Sequence, residues 1–238
     1  MARVLRSLGQ EGNRLAWAES VLRQAEHKVG IRQGSPLKAA AFDEGGDGSD
    51  ALEAWGIGVA PGVTVGVSGS MGLLLAMVGK AVKEDGWVAF VGLPTLGAAA
   101  AREFGVDLTR TVFIPAPGSQ VMRVLATVID GFDVVAVGPE VAVSPGRQGS
   151  VVGRARSQET VLFVPPWPQV PIRVEAKTVA WHGVGQGYGY LREHHLAVEV
   201  RSPRGRYQSR AKVAGGKVEI LGEVRVDGRH SVSQHAVG

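Results

Sequence analysis

With 238 residues, 45% of them apolar, and 34 glycines, the chain is long enough for one good core and a small appendage, and its composition suits a compact α/β domain rich in turns. It has no cysteine, which excludes disulfides, thiol catalysis and cysteine metal sites and fits a cytosolic protein. A net charge of +4 permits contact with nucleic acid without arguing for it. No apolar run reaches the length of a membrane span, and the first fifteen residues lack the apolar stretch of a secretion leader.

The elements follow in chain order. Leu5, Leu8, Leu15, Ala18, Val21, Leu22 and Ala25 form an interrupted apolar stripe at helical spacing, and Gly9 and Gly12 restrict the firm helix to Arg14–Lys28. A short extended piece, Ser35–Phe42, comes next, then the acidic, glycine-rich linker Asp43–Ser49. The arm, residues 1–50, is the expected association surface, with Leu15, Val21, Leu22, Leu37 and Phe42 as contacts. An edge strand such as Ser35–Phe42 can pair with another chain through backbone hydrogen bonds alone. The other reading has it folding back on its own sheet.

The stretch Val63–Met77 reads as a buried strand, a turn at Ser68–Gly72, and an apolar helix running to about Glu84. This is the outline of a phosphate-cradling loop, G-x-x-x-x-G-K-[ST]. With Gly72 as the second glycine, Val67 stands at the first-glycine position, Gly69 lies within the turn, Leu73 takes the lysine position and Leu74 the hydroxyl position. Apolar side chains there cannot neutralise a triphosphate or hold Mg²⁺.

Downstream, strands are expected at Trp87–Val91, Thr111–Ile114, Asp133–Val137 and Thr160–Val164. Helices are expected at Thr95–Phe104, Ser119–Ile129 and the second half of Ser144–Ser157. Short doubly apolar strands alternating with helices imply a mostly parallel sheet covered on both faces. After Pro168 the pattern turns to the apolar–polar alternation of antiparallel hairpins, at Val170–Val179, Leu196–Val200, Ser209–Val213 and Val218–Leu221. Trp181–Tyr190 reads as a glycine–aromatic loop between the first two, and residues 225–238 as a disordered polar tail. The expected division is an arm at 1–50, a core at 51–168, a β extension at 169–224 and the tail.

The order of parts up to Val164 resembles the RecA recombinase family. Gly62–Val65 is like the strand entering its P-loop, and Phe104–Leu108 is similar to a family phrase between a helix and the third strand. The resemblance places Gly92 and Pro94 where that family has an aspartate and a catalytic glutamate, and Gly138 where its Walker B strand ends in an acid. It therefore implies a RecA-like fold with the lysine, the Mg²⁺ hydroxyl and both acids gone: no catalytic residues, no bound nucleotide, no metal and no cofactor, since phosphoryl transfer depends on those charges. The stretches GLLLAM, WVAFVGLPTLGAAAAREFGVDL, DGFDVVAVGP and WHGVGQGYGYLR further resemble the ImuA-prime family of actinobacterial mutasome accessory proteins. That resemblance implies a nucleoid-associated role in damage-induced mutagenesis, as partner of ImuB, a Y-family polymerase homologue linked to the sliding clamp and to an error-prone C-family polymerase. Self-association or a contact with RecA fits the same reading.

Four further groups invite chemistry. Asp107 and Asp133 are more economically a turn residue and a strand start than a metal pair. His194 and His195, as neighbours on a strand, face opposite sides and cannot easily share an ion with His182, and Ser68 and Ser70 lack the histidine–acid partners of a nucleophile. Trp181, Tyr188 and Tyr190, with Arg192, Arg201, Arg204, Arg206 and Arg210 nearby in sequence, have the aromatic-plus-basic composition of a single-strand-binding surface. They equally suit a protein-partner surface, or a hairpin whose aromatics pack on the domain. An accessory protein, a single-stranded-DNA or RecA-filament regulator, and a divergent ATPase are the functional classes in view.

Overall fold

The computed structural model describes residues 51–185 and 188–227; the arm, with its expected helix, strand, linker and contact residues, lies outside them, as do residues 228–238. A short helix α1 (Ala51–Ala54) precedes β1 (Thr64–Ser68), α2 (Met71–Ala81), β2 (Val88–Val91), α3 (Ala98–Glu103), β3 (Thr111–Ile114), α4 (Val121–Gly131), β4 (Val134–Val137), α5 (Pro145–Ser157) and β5 (Val161–Val164). Four long strands follow: β6 (Ile172–Gly185), β7 (Tyr188–Ser202), β8 (Gly205–Ala214) and β9 (Lys217–Asp227).

All nine strands join one mixed sheet in the order β3-β2-β4-β5-β1-β6-β7-β8-β9. The pairings from β3 through β6 are parallel and those from β6 to β9 antiparallel. The doubly apolar runs of β2, β4 and β5 are buried at every residue, as expected for strands covered on both faces. One face carries α1, α2 and α3 over Trp55, Leu73, Leu75, Met77, Val88 and Phe90. The other carries α4 and α5 over Leu125, Ile129, Val151, Val135 and Leu162.

The extension shares the first of these cores. Val174, Leu196, Val198, Val200, Ala211 and Val213 are buried in one cluster with Leu73, Leu75 and Met77. Trp55, fully buried, donates from Nε1 to Ser209 Oγ on β8 at 2.7 Å. The inward residues of β7 and β8 recur every second position, which is the strand period facing an apolar wall.

Several boundaries differ from the sequence reading, each for a local reason. Helix α5 spans all of Pro145–Ser157 and not only its second half. Pro145 at its start is preorganised for the first turn, and Gly146, Gly149 and Gly153 have open space where a Cβ would stand. Helix α2 stops at Ala81, and Val82 is already extended. The glycine–aromatic stretch is no loop: β6 runs on to Gly185 and β7 starts at Tyr188. Glycine recurs at 183, 185, 187 and 189, a period of two that suits a strand. Strand β9 continues through Arg225 to Asp227, residues the sequence reading assigns to the tail, and the rest of that expected tail lies outside the described residues.

Candidate functional site

The turn that resembles a phosphate cradle is much tighter than its sequence suggests. β1 includes Val67 and Ser68, α2 begins at Met71, and only Gly69 and Ser70 lie between. A phosphate is held by backbone N–H groups left free at a helix start. Here Ser70 is the N-cap, and its Oγ accepts the Leu73 N–H at 3.2 Å. The Leu74 N–H goes to the Ser70 carbonyl at 3.1 Å.

The space around the turn is also occupied. A Cβ on Gly69 would collide with the Ala176 carbonyl of β6, and one on Gly72 would lie 3.0 Å from Val213 Cγ1 of β8. None of the three atoms nearest either position belongs to a charged side chain. Leu73, at the lysine position, is 0% exposed within the core that β6–β8 complete, and Leu74 is partly buried against it. The extension thus packs directly against this turn, and Leu73 is part of the core the two share.

The two acid positions that hold glycine are joined to each other. Gly92 donates its N–H to the Ile114 carbonyl and Gly138 donates to the Val91 carbonyl, each at 2.8 Å. A Cβ on Gly138 would overlap the Gly92 carbonyl and lie 2.9 Å from Leu93 Cδ2, while one on Gly92 would overlap Val141 Cγ2. Gly92 also has φ +67°, a backbone region that other residues enter at a cost. Pro94 lies in the exposed turn after β2. A carboxylate at 92 or 138 has no room without moving backbone. Sequence shows glycine at both positions but not this closure, because the touching residues are 46 and 49 positions apart, as 138 − 92 and 141 − 92.

Asp107 and Asp133 have structural roles. Asp107 Oδ1 accepts the Thr109 N–H at 2.9 Å and its hydroxyl at 2.8 Å, and these bonds hold the carboxyl below its ordinary range. Asp133 Oδ2 accepts the Trp87 N–H at 2.9 Å, tying the starts of β2 and β4. Among the described residues no group of three or more histidines and acids is placed to hold a metal ion, and no helix is long and apolar enough to cross a membrane.

The aromatic candidates and Arg192 lie at one end of the extension, and Arg201, Arg204 and Arg206 at the other. β8 pairs with β7 only from His194 onward. β6 and β7 therefore continue past it as a two-stranded ribbon carrying Trp181, Tyr188, Tyr190 and exposed Arg192. Trp181 is opposite His194, and Arg201 lies seven residues further along β7, which is about 24 Å of strand. Arg201 and Arg206 both pair with Glu199, at 2.6 and 3.0 Å, and they and Arg204 cluster around the β7–β8 turn. Their guanidinium groups hold the Glu199 carboxyl below the usual carboxylate range. Arg210 lines a cavity of about 490 Å³ that also contains Glu175, Lys177 and Glu199, so its charge is locally balanced.

At the base of the ribbon Trp181 stacks on His194, with ring centroids 3.6 Å apart and planes within 5°. Trp181 stays 54% exposed, while His194 is buried beneath it with Nε2 2.9 Å from Thr178 Oγ1. Burial, and secondarily the adjacent His195, lower the His194 pKa. Glu193, bound to His195 at 3.2 Å, and Lys212, paired with Glu219, are the other charges at this level. Because the folded imidazole resists a proton that the unfolded chain accepts, stability falls as pH drops through the ordinary imidazole range. Melting from about pH 7.5 to about pH 5 should show a smaller decrease in Tm for His194→Gln than for the parent. An unchanged slope would assign the pH dependence to other groups.

Residues 53–169 match the MT3502 N-terminal domain family. That stretch contains the β1–α2 turn and both closed acid positions, and it stops before β6. An uncharacterized Mycobacterium tuberculosis protein, Rv3395c, is 39% identical over 136 residues, covering 56% of this chain and 66% of the relative, just under two thirds of its length. The MT3502 N-terminal match therefore takes in the parallel half and leaves the ribbon and its arginines outside.

Proposed function

We propose that this chain is a non-catalytic, RecA-like accessory protein of a damage-induced mutagenesis complex in the cytoplasm, associated with the nucleoid, that binds an ImuB-type polymerase homologue. The observation that carries the reading is the closure of the phosphate turn by the protein's own β extension. The residue at the lysine position is core, the Leu73 and Leu74 N–H groups are bound to Ser70, and Gly92 and Gly138 are close backbone neighbours. A fold that retains the strand–turn–helix frame while filling its ligand space is suited to presenting surfaces, not to turning over ATP. At the base of the ribbon Val179 and Trp181 are both more than half exposed, and the ribbon is the proposed partner surface together with the arm. A single-strand-binding surface is less well served, because the exposed aromatic and the arginine cluster are separated and two of those arginines are paired with a carboxylate.

Incubation of the full chain with ATP and Mg²⁺ in a calorimeter should give no turnover. Micromolar binding with turnover would overturn the non-catalytic reading. For the partner, removing the whole extension would expose the shared core, so exposed point changes are the sharper test. Trp181→Ala with Arg192→Ala should weaken capture of the ImuB homologue and leave Tm within a few degrees. Capture at parental strength by that variant, and again by a chain lacking residues 1–42, would refute the surface assignment.

A further inference from the structure

A second cavity, of about 480 Å³, opens on the side of the sheet that carries β3, lined among others by Ser119, Gln120, Met122, Arg123, Ser144 and Arg147. It lies where the chain leaves β3 for α4 and β4 for α5, outside the carboxyl ends of the strands, which is where open α/β sheets place ligands. The volume falls within the usual range for small-molecule sites.

Its lining is one-sided in charge. Arg123 and Arg147 come from two different helices and face one space, and no carboxylate is among the lining residues. Elsewhere Arg110, Arg154, Arg201 and Arg206 are paired with carboxylates. Arg123 instead donates only to the neutral Gln120 Oε1 at 3.3 Å, and Arg147 has no carboxylate partner among the described residues. Ser144 stands at the N-cap of α5 without making a capping bond, so its hydroxyl is available. Neither α4 nor α5 has an acidic residue in its first turn, so the positive ends of both helix dipoles add to the field.

We infer that this cavity binds a small phosphorylated ligand, its phosphoryl oxygens held between the Arg123 and Arg147 guanidinium groups with Ser119 and Ser144 as neutral donors. Two guanidinium forks with hydroxyls at their sides match the several acceptors of a phosphate ester. The two arginines meet at one pocket and do not form a stripe along the surface, which favours a compact ligand over a tracked polynucleotide backbone. The inference is independent of the accessory-protein reading and concerns a separate part of the molecule.

The test is calorimetric titration of the full chain with inorganic pyrophosphate at low ionic strength, alongside a ten-nucleotide single strand. The parent should bind pyrophosphate. Arg123→Gln and Arg147→Gln should each weaken it about tenfold, as expected for loss of a charge-assisted bond, and the double variant should abolish it. Arg210→Gln, on the extension, should bind as the parent does. All three arginines are exposed, and circular dichroism would show the variants folded. No pyrophosphate heat from the parent, or unchanged affinity in the double variant, would overturn the proposal. So would a single strand that binds more tightly and that pyrophosphate does not displace.

Discussion

Replacing Gly138 by alanine should destabilise the protein by about 3 kcal/mol, lowering Tm by roughly 6–12 °C for a domain of this size. The added methyl meets the Gly92 carbonyl and Leu93 Cδ2, and relief requires moving the backbone at the end of β2. Gly92 cannot shift freely, since it holds the Ile114 carbonyl and is capped by Val141. Gly149→Ala is the matched control. It lies within α5 with nothing near the new methyl, so alanine there should stabilise by about 0.5–1 kcal/mol through helix propensity. Opposite signs at the two glycines would show that the cost at 138 is steric. A neutral Gly138→Ala would mean that the acid position is open, and the closed-site argument would fail with it. Thermal melts of the two variants and the parent settle the matter.

How much of this was legible beforehand follows the range of each interaction. The parallel half was readable, because its strands are doubly apolar runs such as Val88–Val91 and Val134–Val137, bounded by glycine and proline, and local pattern is sufficient for such strands. The ribbon was misread for a compositional reason. Glycine normally marks turns, so four glycines at alternate positions looked like a loop although their spacing was that of a strand. That apolar residues and glycines stand where the RecA resemblance points to a lysine, a hydroxyl and acids was also plain in Leu73, Leu74, Gly92 and Gly138. What surrounds them was not. Whether an emptied position is vacant or filled depends on Ala176, Val213 and Val141, residues distant in sequence or lying on another strand. The pairing of Arg123 with Arg147 across one cavity belongs to the same class of fact: each is an unremarkable helix-surface residue until the fold brings the two helix starts together.

Leu73→Lys separates an emptied site from a filled one most sharply. In a working P-loop the lysine lies at the mouth of the cradle, and restoring it to a cradle that had kept its shape would cost little. Here the side chain is fully buried, among Leu75, Met77 and the inward face of β7 and β8. Lysine at this position loses the leucine's packing, about 2–5 kcal/mol for large-to-small changes in a core, and must also bury an ammonium or give up its proton. The expected loss is about 4 kcal/mol or more, against typical total stabilities of about 5–15 kcal/mol, so the variant should be largely unfolded or melt far below the parent. Leu73→Met keeps the volume and should cost under about 1.5 kcal/mol. Leu73→Lys should gain no nucleotide affinity over the parent, because the Leu73 N–H remains bound to Ser70 and the extension still covers the turn. A lysine variant that melts with the parent and binds ATP more tightly than the parent does would mean that residue 73 faces a solvent-filled cradle, and the extension could then not be what closes it.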